Sequence, residues 1–391
     1  MRPSQNDSDG GFQGPGQPPR AEYPASPYQR AAGPGPDLSR SRRSGRSRGI
    51  LVSGSVAAVL GAAGLFLPAP YVVESPGPTF NTIGEAASQP LITVEGRDSY
   101  PTNGQLDLTT VYVSGGPNSD ISVVQAIAAW ADSEKAIYPS EFLYPPGTTN
   151  TQVDEENAAA MTSSQESAVA AALRQLDIGF TEELAVAAFV EGSPAEGRLQ
   201  AGDVLVSVAG KPVTGIESLR EALNQSNGDP VDLTVRRDGT EQTVSVAAEQ
   251  AENGAHQLGI QLATDFSFPF EVTIGLDNVG GPSAGLMFAL GIIDRLTPGE
   301  LTGGQHFAGT GTIDAAGNVG PIGGIRQKMI GAAGSGARFF LAPEANCGEV
   351  VEHVPDGLSV VSVATLDDAV NAVAELAGGA DPAGLPQCTA D

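Results

Sequence analysis

The apolar and polar positions along this chain fall into three regimes. The first 48 residues show no periodicity: eight prolines and seven glycines break up every short apolar stretch, which predicts a disordered tail over 1–48. From Gly49 to Val73 no charged residue occurs, and positions 50–67 make an apolar and small-residue run of 18, about 27 Å long as a helix. Pro68 and Pro70 close it, so the pattern predicts a single membrane-spanning helix over 49–70. A signal peptide is the weaker reading, because 39 residues precede the first of the flanking arginines at Arg40 and no clean small-x-small site follows. A buried helix is weaker too, since the proline- and glycine-rich tail offers it nothing to pack against.

Beyond that run the pattern alternates between strand and helix periods. Positions 184–190 read as a strand, 191–195 as a Gly/Pro turn and 199–206 as a turn entering a second strand. A tight hairpin follows over 208–213. Ile216, Leu219, Ala222 and Leu223 carry helical spacing over 215–225, and 231–235 and 243–246 flank an Asp238-Gly239 turn. Upstream, 91–95 and 104–111 read as paired strands, and 161–176 as a helix. Downstream, 272–276 reads as a strand, 286–293 as a helix ending before Pro298, 329–334 as a small-residue helix and 337–343 as a strand ending in proline.

Length and charge sharpen this picture. At 391 residues there is room for two or three domains. The formal charge is -26, which excludes a nucleic-acid binder in need of a basic face. The charge is also lopsided: residues 1–48 hold eight arginines against four acids, the remainder 12 basic against 42 acidic side chains. Arg40, Arg42, Arg43, Arg46 and Arg48 precede the apolar run, so the tail is expected in the cytoplasm and the acidic bulk outside a plasma membrane crossed once. Export gives Cys347 and Cys388 a compartment in which a disulfide persists; two free thiols remain the alternative. Two cysteines and three histidines are too few for the usual zinc sites, and no G-x-x-x-x-G-K-[ST] run occurs. No cofactor, metal, nucleotide or nucleic-acid partner is expected.

Two segments carry chemistry. Asn278-Val279-Gly280-Gly281-Pro282-Ser283-Ala284-Gly285 puts a serine among small residues just before a helix, where backbone N–H groups point at a developing oxyanion. The alternative is an ordinary serine N-cap. Forty-five residues later, Lys328 ends a glycine-rich apolar segment, Gly317-Asn318-Val319-Gly320-Pro321-Ile322-Gly323-Gly324-Ile325-Arg326-Gln327-Lys328. It is one of only three lysines, with Lys135 and Lys211. Desolvation lowers a lysine's pKa, and a neutral amine beside a serine hydroxyl serves as its general base without a histidine.

The strand order around one short helix, with G-S-P-A at 192–195, L-x-A-G-D-V-L at 199–205 and V-x-G-K-P-V at 208–213, resembles a bacterial PDZ domain. Such a module adds a partner's extended or C-terminal segment to a sheet edge. Ile178-Gly179-Phe180 is the candidate carboxylate-binding loop, with an ordinary loop as its alternative. The serine and lysine segments resemble the proteolytic domain of the Lon protease family. That resemblance implies Ser283 as nucleophile, Lys328 as its base and Thr310, in Gly309-Thr310-Gly311-Thr312, as the residue orienting the lysine. Many Lon enzymes carry an acidic residue where this chain has Gly280, which leaves the activation or gating step open. No AAA+ module is present in the sequence. Anchor, PDZ module and Lon-type domain together resemble the ATP-independent, membrane-anchored Lon-like proteases of bacteria.

The expected class is therefore α+β: a tail over 1–48, a helix over 49–70, an N-terminal extracytoplasmic part over 71–177, a PDZ domain over 178–250, a Lon-like α/β proteolytic domain over 251–376 and a C-terminal tail over 377–391. Residues 71–177 are either the first part of the Lon-like domain, with the PDZ module inserted into it, or a separate domain. The expected activity is that of a serine endopeptidase acting on protein or peptide substrates; a homo-oligomeric ring is implied by the resemblance alone. Two alternatives stand beside it. One is a membrane-tethered PDZ adaptor with an inactive protease-like domain. The other is a Ser-His hydrolase built on G-x-S-x-G at 281–285 with His353 as base, for which only 108 residues follow the serine.

Overall fold

The computed structural model describes residues 44–86, 89–117, 120–251, 254–276 and 279–389. Most of the expected tail, residues 1–43, lies outside these, as does Asn278 of the serine segment. The chain forms two compact units, Met1–Gly61 and Ala62–Asp391.

The apolar run folds as helix α1, Ser44–Leu65. Ile50, Leu51, Val52, Val56, Val59 and Leu60 along it are all exposed. Among the described residues no helix is long and apolar enough to cross a membrane. This differs from the span expected over 49–70. Pro68 stops the helix early, with Phe66 and Leu67 donating back three residues to Ala63 and Gly64.

The larger unit is built on strands β1 (Tyr71–Asn81), β2 (Gln105–Ser114) and β3 (Ala136–Pro139), then helix α2 (Asn150–Gln175). Next come β4 (Thr181–Phe189), β5 (Val204–Val208), helix α3 (Ile216–Gln225), β6 (Val231–Arg237), β7 (Thr240–Val246) and β8 (Ile260–Ser267). The chain closes with α4 (Gly285–Leu296), β9 (His306–Gly309), α5 (Ile325–Ser335), β10 (Phe339–Pro343), β11 (Ser359–Val363) and α6 (Leu366–Ala377).

One sheet runs in the order β11-β10-β9-β2-β1-β3, parallel from β11 to β2 and antiparallel beyond. Because side chains alternate across a strand, its two faces feed two cores. Phe307, Phe339, Leu341, Val361 and Val363 join the larger core with α2, α4 and α6, while Ala308, Phe340, Ala342 and Val360 join the smaller one under α5. The second sheet, β7-β6-β5-β4-β8, is antiparallel, with its own core of Leu184, Leu205, Leu219, Leu223, Leu233 and Val235. Its turns have the chemistry expected of them. Ala209-Gly210 and Asp238-Gly239 both adopt positive φ, as tight two-residue hairpins require. In chain order this sheet lies between β2 and β9, which are neighbours in the first sheet.

Three expectations shift. The segment Ile92–Glu95 pairs with Glu271–Ile274, not with β2, whose two sides are taken by β1 and β9. Helix α2 begins eleven residues before the apolar period does. Its first turns are exposed and polar, and the start is set instead by the Thr149/Gln152 capping box. Helix α5 starts at Ile325, so Lys328 is a helical residue and not part of the loop ahead of the helix.

Cys347 and Cys388 are bonded, tying the C-terminal tail to the edge of the first sheet. Replacing both by serine, or reducing them, is expected to cost about 2–4 kcal/mol for a closed loop of this size. Urea unfolding with and without reductant checks this; an unchanged midpoint counts against it.

Candidate active site

Helix α4 is apolar on nearly every side and buried from Gly285 to Asp294, which fixes where its first turn points. Ser283 lies just ahead of it, half-buried. The serine does not cap the helix: Ala284 occupies that position, and no side chain caps it. Among the described residues the Ser283 hydroxyl has no hydrogen-bond partner, so it is free for chemistry.

The turn is held from two directions. From α2, Ser164 Oγ donates to the Pro282 carbonyl at 2.9 Å, and the Asn157 carbonyl accepts from the Gly281 N–H at 3.0 Å. From the end of β9, the Gly311 N–H and the Thr310 hydroxyl both donate to the Ser283 carbonyl, at 2.9 and 3.0 Å. Thr310 is fully buried and accepts in turn from Lys328 Nζ at 3.1 Å. One hydroxyl therefore joins the backbone of Ser283 to the amine of Lys328.

Lys328 reaches this point because α5 starts where it does. Gly324 adopts φ of 67°, a left-handed conformation that favours glycine, and its carbonyl accepts the Lys328 N–H. A side chain at 324 would meet Val111 at 2.9 Å and the Glu74 carboxylate at 3.1 Å. Lys328 is 3% exposed. Burial pushes its pKa down from the usual 10.5 to about 8, with the nearby Glu74 charge pulling the other way.

Ser283 opens onto a cleft of about 1100 Å³, lined on one side by Thr109–Val113 of β2 and on the other by Val153, Asn157 and Met161 of α2. Gly280 lines it too. A Cβ there would lie 2.8 Å from the Asn157 Cβ, so α2 occupies the space that a side chain at 280 would need. None of the lining residues is a histidine. His353 sits past the short helix Cys347–Val350, where its Nδ1 contacts the Glu349 carbonyl.

Ile178, Gly179 and Phe180 line a small pocket with Arg174, between α2 and β4. Ile178 and Phe180 pack on the larger core, the Ile178 N–H is taken by the Leu173 carbonyl, and the Arg174 guanidinium lies over the Phe180 ring. The apolar groove of the second sheet lies between α3 and β8, about 610 Å³, lined by Ile216, Leu219, Leu223, Leu258, Ile260 and Leu262. Strand β8 is an end strand of that sheet, with its outer edge unpaired. The sequence signal missed was Leu258-Gly259-Ile260, a glycine between two apolar residues at the mouth of a strand.

Residues 244–375 match the Lon protease (S16) C-terminal proteolytic domain. This span contains Ser283, Thr310 and Lys328. Residues 186–237 match the PDZ domain. Among curated proteins, a Lon protease of Geobacter metallireducens is 28% identical over 206 residues, 50% of this chain and 24% of that protein. An archaeal Lon protease of Methanocaldococcus jannaschii is 38% identical over 27% of this chain and 16% of its own length. Lon protease 1 of Herpetosiphon aurantiacus is 31% identical over 35% of this chain and 16% of its own length. The chain thus spans about a quarter or less of these relatives. It is a mixed α/β protein carrying a PDZ domain and a Lon-type proteolytic domain, and the matches support a serine peptidase.

The contact at Gly280 makes a direct prediction. Gly280→Asp is expected to destabilise the protein by about 1–3 kcal/mol through overpacking. Asn157→Gly, which removes the opposing Cβ, is expected to recover part of that loss in the double variant. Denaturation of the four proteins measures this, and strict additivity would refute it.

Proposed function

We propose that this chain is an ATP-independent serine endopeptidase in which Ser283 is the nucleophile, Lys328 the general base and Thr310 the residue that orients the lysine. The observation carrying this reading is the line from the Lys328 amine through the Thr310 hydroxyl to Ser283, beside a free serine hydroxyl in an open cleft. With the amine near pKa 8, about one molecule in ten is neutral at pH 7, against roughly one in three thousand at the unshifted value. Ser283 Oγ bonds to the scissile carbonyl carbon while its proton passes to Lys328 Nζ. The carbonyl electron pair moves to oxygen as the tetrahedral intermediate forms. Collapse expels the amine, which takes the proton from Lys328; water then gives a proton to the same lysine as it adds to the acyl carbonyl, and Ser283 Oγ leaves, taking that proton back. The α3–β8 groove is proposed to hold an extended peptide by strand addition, its apolar wall taking alternate side chains.

The reading includes attachment at the plasma membrane through the apolar run at 50–67, which extends beyond the end of α1, with residues 1–43 cytoplasmic and the acidic body outside. What supports it is the exposed apolar surface of α1 and the arginine cluster ahead of it.

Three outcomes test this. Without ATP, the protein should cleave an unstructured substrate such as casein, and Ser283→Ala and Lys328→Ala should each lower the rate by at least about a thousandfold. Full activity in either variant sinks the dyad, and inactivity of the unaltered protein favours the adaptor reading. The rate should rise with pH through about 8, because the neutral amine is the active form and accumulates as pH passes the lysine's pKa. Last, the full chain should stay with membranes through an alkaline carbonate wash, and Val56→Lys with Val59→Lys should release it.

A further inference from the structure

Strand β1 carries a carboxylate that the serine chemistry does not use. Glu74 pairs across the sheet with Val113 of β2 and Ala136 of β3, so it stands inside the first sheet and not at a rim. Its Oε2 is buried and, among the described residues, has no hydrogen-bond partner. The same oxygen lies 3.1 Å from where a side chain at Gly324 would begin, at the start of α5 and one turn ahead of Lys328. The Lys328 amine, for its part, makes one hydrogen bond, to Thr310, although a lysine ammonium carries three donors. A carboxylate with one buried, unpartnered oxygen thus lies against the start of α5, the helix that carries a buried amine with spare donors.

We propose that Glu74 is a positioning residue for Lys328: its carboxylate stabilises the ammonium that forms each time Ser283 gives up its proton. The inference rests on the Ser283–Lys328 reading above. In the step concerned, the serine proton converts a neutral buried amine into a buried cation, which costs free energy unless an anion stands near. Glu74 is the acidic group whose charge acts on Lys328. Burial raises its pKa, the Lys328 charge lowers it and the Glu349 charge, from the helix Cys347–Val350, raises it again. Tyr138 on β3 and Tyr144 complete the surroundings; both phenols are pushed up by burial first and by the Glu74 charge second. Tyr144 also lines the Ser283 cleft, so this seam and the cleft share a wall.

The chain's three lysines make the test direct. In protein labelled with ¹³C-lysine, the Lys328 Cε resonance, assigned by its loss in Lys328→Ala, reports the amine's titration whether or not the protein cleaves anything. In Glu74→Gln the midpoint should fall by about 0.5 in pH or more, about a threefold rise in the neutral fraction below it. The pH profile of kcat/KM should move with it, while the plateau kcat falls. Glu74→Asp, which keeps the charge on a shorter stem, should lie between the two, and carries the test alone if Glu74→Gln does not fold. A purely structural role would change the melting temperature and leave the lysine midpoint in place, and that result in every folded variant overturns the proposal. If the midpoint moves but no variant, including the unaltered protein, cleaves substrate, the Glu74–Lys328 pairing stands and the protease reading falls.

Discussion

A lysine amine sealed from solvent is the constraint to which the active-site half of this protein answers. Holding Lys328 with a pKa near 8 means that folding disfavours its charged form by about 3 kcal/mol relative to water. The site meets this in three ways. Ile325 and Met329 pack α5 into the smaller core against Phe340, which keeps water out. Thr310 gives the nitrogen one fixed partner and so fixes its direction. Gly324 lets α5 begin close enough to β1 and β2 for the side chain to reach that partner at all. A histidine, with an ordinary pKa near 6.5, would need no such enclosure. The glycine-rich approach to α5 follows from using a lysine.

Helix α2 is the second organising element, and it joins the two sheets. Near its middle, Asn157 and Ser164 grip the serine turn. At its far end, Arg174 pairs with Glu182 at the start of β4 at 3.1 Å and also donates to the Ala315 carbonyl. The Glu182 carboxylate is itself 3.0 Å from where a side chain at Gly215 would begin, at the start of α3. One helix therefore touches both the turn that bears Ser283 and a contact at the root of α3. The stacked and tilted rings of Phe180, Phe266 and Phe268 sit where the chain enters and leaves the second sheet, packing that junction.

What the sequence displayed and what it concealed divide along physical lines. The elements of the second sheet are local: hairpins with Ala209-Gly210 and Asp238-Gly239, and a helix whose apolar residues recur at 216, 219 and 223, show their period within ten residues. Ser283, Thr310 and Lys328 were visible as residue types in glycine-rich settings, although the hydrogen bonds that join them link positions 18 and 27 residues apart. Pairing between remote strands was not legible. Ile92–Glu95 is apolar enough to pair with any neighbour, and only closure of the sheet assigns it to Glu271–Ile274. The apolar groove combines α3 with a strand 35 residues further on, a juxtaposition that no local pattern displays. Glu74 was invisible, because a glutamate in a strand between prolines and aromatics shows nothing of the remote helix α5 whose start it lies against.

Gly280 is the position at which this chain departs most plainly from the Lon pattern, and packing gives a cause. A side chain there and the present course of α2 exclude each other, since Asn157 already stands where it would begin. Loss of an acid through decay of a disused site would be expected to leave an unfilled space and a loosened turn. Here the space is filled, and the helix that fills it contributes two hydrogen bonds to the turn bearing Ser283. Decay would also leave no reason for Lys328 to stay buried, since an exposed ammonium costs nothing and a neutral buried amine costs several kcal/mol. The lysine has kept its enclosure and the serine its free hydroxyl. A filled space at 280, an enclosed lysine and a free serine hydroxyl therefore favour the proposed dyad over a decayed site.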